Sequence, residues 1–294
     1  MQLVIFPNLG NTCFLNSILS CLVNQTTFNL SLTDTSSNPI LDELTKIFEC
    51  FKDSGAEINC IRFVPLKLIN LIKPRFRRFD QHDAHEFLIY ILENINAKYY
   101  TGLIKQTVTC NKCKTKSITR EEFNTITLNK QYCDPVSQCN PVGQCDPVGQ
   151  CNPVGPCDPG NKLISLFMDY LKPEELNGYF CEKCNKCCNS VKNLNLEKLP
   201  DTLIILLNKY QGKTIVDYAV PLRIKETQTS IIKEYHLYGI VNHLGDENNG
   251  HYNCDLKIND NWYFIDDDVI FQKKEMTFNN PNAYILLFNC IPNL

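Results

Sequence analysis

YGIVNHLGDENNGHYNCDLKINDNWYFIDDDVI, residues 238–270, is the stretch on which the fold turns. Within it Tyr252, Cys254, Leu256 and Ile258 alternate strictly with Asn253, Asp255 and Lys257, the pattern of a strand with one buried face. Asn259–Asp260–Asn261 supplies a tight turn, and a second strand runs from Trp262 into Asp266, Asp267 and Asp268. The hairpin carries this run of carboxylates back toward His251, which opens the first strand. With a loop of two or three residues, and about 3.3 Å per residue, the direct cross-strand partner of His251 falls near positions 268–270. A carboxylate beside an imidazole fixes its tautomer and stabilises the imidazolium. Taken singly, an Asp triplet is usually a solvated turn and a lone His is more often structural.

Outward from this hairpin the texture divides. Leu203–Leu207, His236–Asn242 and Tyr284–Phe288 are short β-rich runs separated by turn residues, so the second half reads as a sheet. Upstream, apolar residues recur with helical spacing at Phe14, Leu15, Ile18, Leu19, Leu22 and Val23, at Leu41, Leu44, Ile47, Phe48 and Phe51, and at Phe87, Leu88, Ile91, Leu92 and Ile95. Helices first and strands later predict an α+β architecture. Between them lies a low-complexity block, about 131–160, in which Cys133, Cys139, Cys145, Cys151 and Cys157 head near-identical hexapeptides. The recurring prolines argue against both helix and sheet ladder, leaving a spacer or a flexible loop; a polyproline II conformation would align its thiols on one edge, where they could bind metal, the alternative being a disordered insertion with no chemistry.

The 294 residues and 44% hydrophobic content suffice for one large or two modest domains. A net charge of -3 sets up no field that would recruit nucleic acid or an anionic membrane. The start has no basic region ahead of its short apolar run Leu3–Phe6, and no later run approaches the roughly 18 residues of a membrane span. A cytoplasmic protein is expected, with the nucleus also open. The 17 cysteines then read as thiols in a reducing compartment, and their odd number precludes full internal pairing.

Cys13, in NLGNTCFLNSILSCL, immediately precedes the first helical pattern, where unpaired N–H groups and the helix dipole favour an anion and lower a thiol's pKa. A buried structural cysteine is the plainer reading of Cys13 alone. Cys, His and Asp together form an activated-nucleophile set. Asp83-x-x-Glu86 ahead of Phe87 is a capping box for a helix start, and Asn8 suits a turn or cap. Cys110/Cys113 and Cys181/Cys184 are Cys-x-x-Cys knuckles flanking the repeat block, the usual halves of a four-thiolate zinc site; incidental cysteines or a redox motif are the alternatives, and the neighbouring Cys187 and Cys188 leave the ligand choice open.

At these residues the sequence resembles the ubiquitin-specific proteases, papain-like thiol peptidases that remove ubiquitin. NLGNTCFLNS (8–17) is similar to that family's cysteine box, QHDAHEFL (81–88) to its acidic segment and 238–269 to its histidine box. Likeness extends through PDTLIILLNKY (200–210) and the C-terminal YILLF, covering nearly everything but the hexapeptide block. His82 departs from the family's commoner glutamine.

The resemblance implies a single catalytic domain with a helical thumb (about 1–105), zinc-knuckle fingers (about 106–130 and 161–200) and a β-sheet palm (about 201–294). It implies Cys13 as nucleophile, His251 as base and then acid, Asp266 as the group orienting the histidine, with Asp267 sharing or taking over that role, and Asn8 as oxyanion donor. Asp83 and Glu86 would meet the basic tail of ubiquitin, and His243, Gly245 and Gly250 belong to the loop that closes over it. Structural zinc on Cys110, Cys113, Cys181 and Cys184, no organic cofactor, ubiquitin and its conjugates as partners, and a monomeric state complete the expectation. With the cysteine box so near the start, no appended N-terminal domain is expected. A catalytically lapsed ubiquitin-binding module and a metal or redox protein are the rival readings.

Overall fold

The structure, a computed structural model, describes residues 2–32, 38–50, 59–129, 162–208, 216–219, 221–246 and 249–291. The hexapeptide block, Phe51 and Tyr210 lie outside them. The N-terminal part contains β1 (Gln2–Ile5), α1 (Cys13–Val23), α2 (Thr26–Ser31), α3 (Pro39–Glu49), β2 (Asn59–Arg62), α4 (Leu66–Ile72) and α5 (Ala84–Glu93). β3 (Gly102–Cys110), β4 (Lys116–Phe123), β5 (Ile126–Asn129), α6 (Leu163–Tyr170), β6 (Glu174–Cys181) and β7 (Lys186–Lys198) follow. The last part is all strand: β8 (Thr202–Asn208), β9 (Leu222–Lys225), β10 (Ile232–Gly245), β11 (Gly250–Ile258), β12 (Asn261–Asp266), β13 (Val269–Gln272) and β14 (Ala283–Ile291).

The α+β expectation holds, with one local departure. The apolar run near the start is not part of a helical layer: β1 pairs in parallel with β2, Gln2 opposite Asn59 and Ile5 opposite Arg62. The partners stand more than fifty positions apart, so no local periodicity announces the ladder. α1 also exceeds the one-sided helix that its spacing predicts, because all of its residues are buried. A helix apolar nearly all round is a core element, and α1 lies between the other helices and the sheet.

The large sheet has the order β13-β12-β11-β10-β14-β8-β5, with β9 also on β10. Period-2 alternation lets its centre bury both faces. Ile204, Ile285 and Leu287 face the core shared with α1 and α5, whereas Ile205, Leu286 and Phe288 face a second core with α6. At about 25 cal/mol per Å² of apolar surface, burial of this kind is what holds the helical layer on the sheet. A separate four-stranded sheet, β4-β3-β7-β6, carries the Cys-x-x-Cys knuckles at its turns. Among the described residues no helix is long and apolar enough to cross a membrane.

Candidate active site

Two hairpin turns in succession bring the histidine and the carboxylates together. Ile258 pairs with Asn261, so Asn259 and Asp260 form a two-residue loop, both at positive φ (47° and 67°) as a type I′ turn requires. Continued pairing would set His251 opposite Asp268, but the β11–β12 ladder stops at Cys254 opposite Ile265. The chain reverses again at Asp267 (φ 53°) and Asp268, pairing Asp266 with Val269. The cross-strand expectation is thereby corrected: His251 has no direct partner on β12, and Asp266 reaches it diagonally, Oδ1 lying 2.5 Å from His251 Nε2.

The three carboxylates have three different partners. Asp267 accepts from Asn8 Nδ2 through Oδ2 at 3.0 Å and from Asn16 Nδ2 through Oδ1 at 2.7 Å, which ties the turn before α1 to α1 itself. Asp268 pairs with Arg62 of β2 at 2.7 Å. Asp267 also lies near the pair, with side-chain atoms of His251, Asp266 and Asp267 all within 4.8 Å of one another, and its own hydrogen bonds run to two asparagine amides.

Cys13 is the first residue of α1 and is 7% exposed. Thr12, the N-cap, makes no side-chain cap bond; its hydroxyl accepts from Leu9 N at 2.9 Å instead. The Thr12 side chain thus leaves the first-turn N–H groups of α1, with their partial positive charge, uncapped beside the sulfur. Interaction with the Cys13 thiol is the largest cause of a His251 pKa pushed up to about 9. Burial opposes the shift, while the hydrogen bond and charge of Asp266 reinforce it.

The turn carrying Asn8 is fixed from several sides. Asn8 Oδ1 accepts from Gly10 N at 3.0 Å and Thr12 N at 3.3 Å. Asn11 Nδ2 donates to Phe79 O, and Arg78 Nε donates to Leu9 O. Gly10 has a φ of 102°, and a Cβ there would stand 2.7 Å from the Phe79 ring, so glycine is required on both counts. Asn8 is exposed, and its amide nitrogen is the group that donates to Asp267.

Asp83 caps α5, accepting from Glu86 N at 2.9 Å. Its other oxygen accepts from Tyr284 at 2.7 Å and Tyr252 at 3.3 Å. Glu86 is half exposed and pairs with Arg75 at 3.2 Å. His243 stacks on Tyr252 with ring centroids 4.5 Å apart. A Cβ on Gly250 would come within 2.0 Å of His243 Nε2, so only glycine lets β11 begin there, and Gly250 N donates to Gln81 Oε1 at 2.8 Å. Gly245, at φ 125°, closes the other end of the β10–β11 loop.

The fingers sheet gathers Cys110, Cys113, Cys181 and Cys184 so that their ligand atoms all lie within 4.8 Å of one another. Cys113 Sγ and Cys181 Sγ are 3.5 Å apart, close to the roughly 3.8 Å edge of a tetrahedron with metal–sulfur bonds of about 2.3 Å. Hydrogen bonds from Thr115 lower Cys113 to about 6, whereas the neighbouring Cys113 raises Cys184. Crowded thiols resist joint ionisation unless a cation joins them, and the donor set therefore fits a metal ion.

A family model described as "Ubiquitin carboxyl-terminal hydrolase" matches residues 6–288. "Probable ubiquitin carboxyl-terminal hydrolase 8" of Schizosaccharomyces pombe is 23% identical over 96% of this chain and 64% of its own length. "Ubiquitin carboxyl-terminal hydrolase 4" of Arabidopsis thaliana is 23% identical over 97% of this chain and 93% of its own. The chain thus spans less than two thirds of the first relative. Among solved structures, the "SAGA Ubp8/Sgf11/Sus1/Sgf73 DUB module bound to ubiquitin aldehyde" superposes with a TM-score of 0.71 at 21% identity, covering 98% of this chain and 69% of that one. This likeness shows the fold alone, an α+β architecture with a helical layer on a large sheet and a separate four-stranded sheet.

Asn16, Gln81, Tyr252 and Tyr284 escape the sequence reading. Gln81 and Tyr252 stand beside residues already singled out, but only the folded contacts of Asn16 with Asp267 and of Tyr284 with Asp83 mark the other two.

Proposed function

Because the chain belongs to the ubiquitin carboxyl-terminal hydrolase family, we propose that it is a thiol peptidase cleaving the isopeptide or peptide bond after the C-terminal glycine of ubiquitin. The observation that carries this reading is the convergence of Cys13, His251 and Asp266 from α1, β11 and β12: Asp266 hydrogen-bonds His251, and the Cys13 thiol is the group that most raises the His251 pKa. The Cys13 thiol passes its proton to His251 and the sulfur attacks the glycine carbonyl; Asp266 holds the imidazolium. Asn8 Nδ2 and the first N–H groups of α1 stabilise the oxyanion, with Asp267 keeping Asn8 in place. His251 returns the proton to the leaving amine. Water, deprotonated by His251, then attacks the thioester and releases the ubiquitin carboxylate and the Cys13 thiol.

Gly250, Tyr252 and His243 line the path for the slender tail, as Gly250 leaves room where any side chain would collide. Asp83 is occupied by its cap and two tyrosines, so it sets that wall, and the half-exposed Glu86 meets a cationic side chain of the tail. Cys110, Cys113, Cys181 and Cys184 hold structural zinc, which supplies a cross-link between the two knuckles. The thumb is assigned to about 1–105, the fingers to about 106–130 and 161–200, and the palm to about 201–294. The enzyme acts as a monomer on ubiquitin conjugates. A lapsed binding module is not favoured, since Asp266 still hydrogen-bonds His251 and the Cys13 thiol still acts on that imidazole. Cleavage of a ubiquitin C-terminal fluorogenic amide by the wild-type chain and its loss in Cys13→Ala test the reading; undiminished turnover of the variant refutes it.

A further inference from the structure

β7 carries a thiol that a four-cysteine site does not use. Cys110 pairs with Ser190 across β3 and β7, and Cys181 pairs with Lys186 across β6 and β7. Paired residues share a face and side chains alternate along a strand, so Lys186, Cys188 and Ser190 point to the face that holds Cys110 and Cys181, and Cys187 points to the other. Cys188 therefore stands between the registers of two ligands, diagonal to each. Burial agrees. Cys188, at 9% exposure, packs with Cys110 and Cys181 in one cluster touched by Cys113 and Cys184, while Cys187 is exposed.

Resting on the zinc reading above, we propose that Cys188 is a reserve ligand: the site draws four thiolates from five cysteines, and Cys188 replaces Cys184 when that ligand is lost. Cys113 and Cys184 are the two partly exposed ligands, and Cys184 is the one on the same β6–β7 hairpin as Cys188, its buried substitute. The exchange balances: Cys188 gives up its thiol proton as its sulfur bonds the metal, the metal–Cys184 bond breaks, and Cys184 takes the proton. Four thiolates and one thiol are present before and after.

Zinc content and the cobalt(II) absorption spectrum of the full chain test this in wild type, Cys184→Ala, Cys188→Ala, Cys184→Ala/Cys187→Ala and Cys184→Ala/Cys188→Ala. The expected result is one metal per chain with a four-thiolate cobalt spectrum in the first four, and loss of both in the last. Wild type holding one metal while Cys184→Ala holds none overturns the reserve role and leaves the zinc site standing. Metal retained by Cys184→Ala/Cys188→Ala also overturns it. Wild type holding no metal overturns both. Should Cys184→Ala not fold, release of cobalt to a chelator is compared in wild type and Cys188→Ala. The proposal expects release about tenfold faster from Cys188→Ala, the low end for loss of a group contacting a ligand, and equal rates overturn it.

Discussion

Replacing Asp267 with asparagine separates the tasks of two adjacent carboxylates. Asparagine tolerates the positive φ of 53° at this position, so the turn survives. It keeps one acceptor oxygen, however, and turns an NH2 group toward either Asn8 or Asn16, both of which donate to Asp267. The part-buried bond from Asn16 is kept in preference to the exposed bond from Asn8, so the Asn8 bond is lost. Complete loss of an oxyanion donor costs about 100- to 1000-fold in kcat. Asn8 retains its backbone tethers from Gly10 and Thr12, so what disappears is the restraint of one exposed hydrogen bond, about 1 to 1.5 kcal/mol. The expected fall in kcat is therefore about five- to tenfold. The assay is kcat on a ubiquitin C-terminal fluorogenic amide across pH 5–10, with thermal unfolding as a check on folding. Because His251 pairs with Asp266, the alkaline limb of the profile stays in place. A displaced alkaline limb, or an unchanged kcat, would refute the division of labour.

Asp266→Asn does the opposite. The raised His251 pKa favours the protonated imidazole in the folded chain, a contribution fully present below pH 6.5 and lost as pH climbs through about 9; weakening the Asp266 support moves the alkaline limb below 9, read from the same pH profile. Gly250→Ala places a methyl group 2.0 Å from His243 Nε2; overpacking of about 1–3 kcal/mol lowers kcat/KM by roughly five- to 100-fold, and wild-type kinetics would contradict the close approach. Tyr284→Phe removes the 2.7 Å bond to Asp83 and lowers unfolding free energy by about 1 kcal/mol, measured by the urea midpoint.

Much of this was legible where the signal is local. The alternation at Tyr252–Ile258, the turn at Asn259–Asp260 and the flanking strands appear as β11 and β12 with boundaries shifted by one or two residues. Legibility failed where partners are remote. Nothing in Asn59–Arg62 announces a ladder with Gln2–Ile5. The four-residue β13 is too short for a periodic signal, and it is the reversal into β13 that redirects Asp267 from histidine to asparagine. The knuckles were plain from their spacing, but Cys187 and Cys188 could be told apart only by the register of β7.

The central claim is that the sulfur of Cys13 is the nucleophile, activated by an imidazole far along the chain. Full-length ubiquitin bearing a C-terminal electrophile, incubated with the native chain and mapped by peptide mass spectrometry, addresses it most directly. One adduct is expected, on Cys13, absent in Cys13→Ala and strongly slowed in His251→Ala. An adduct on any other thiol, or labelling of Cys13 at the same rate without His251, would contradict it.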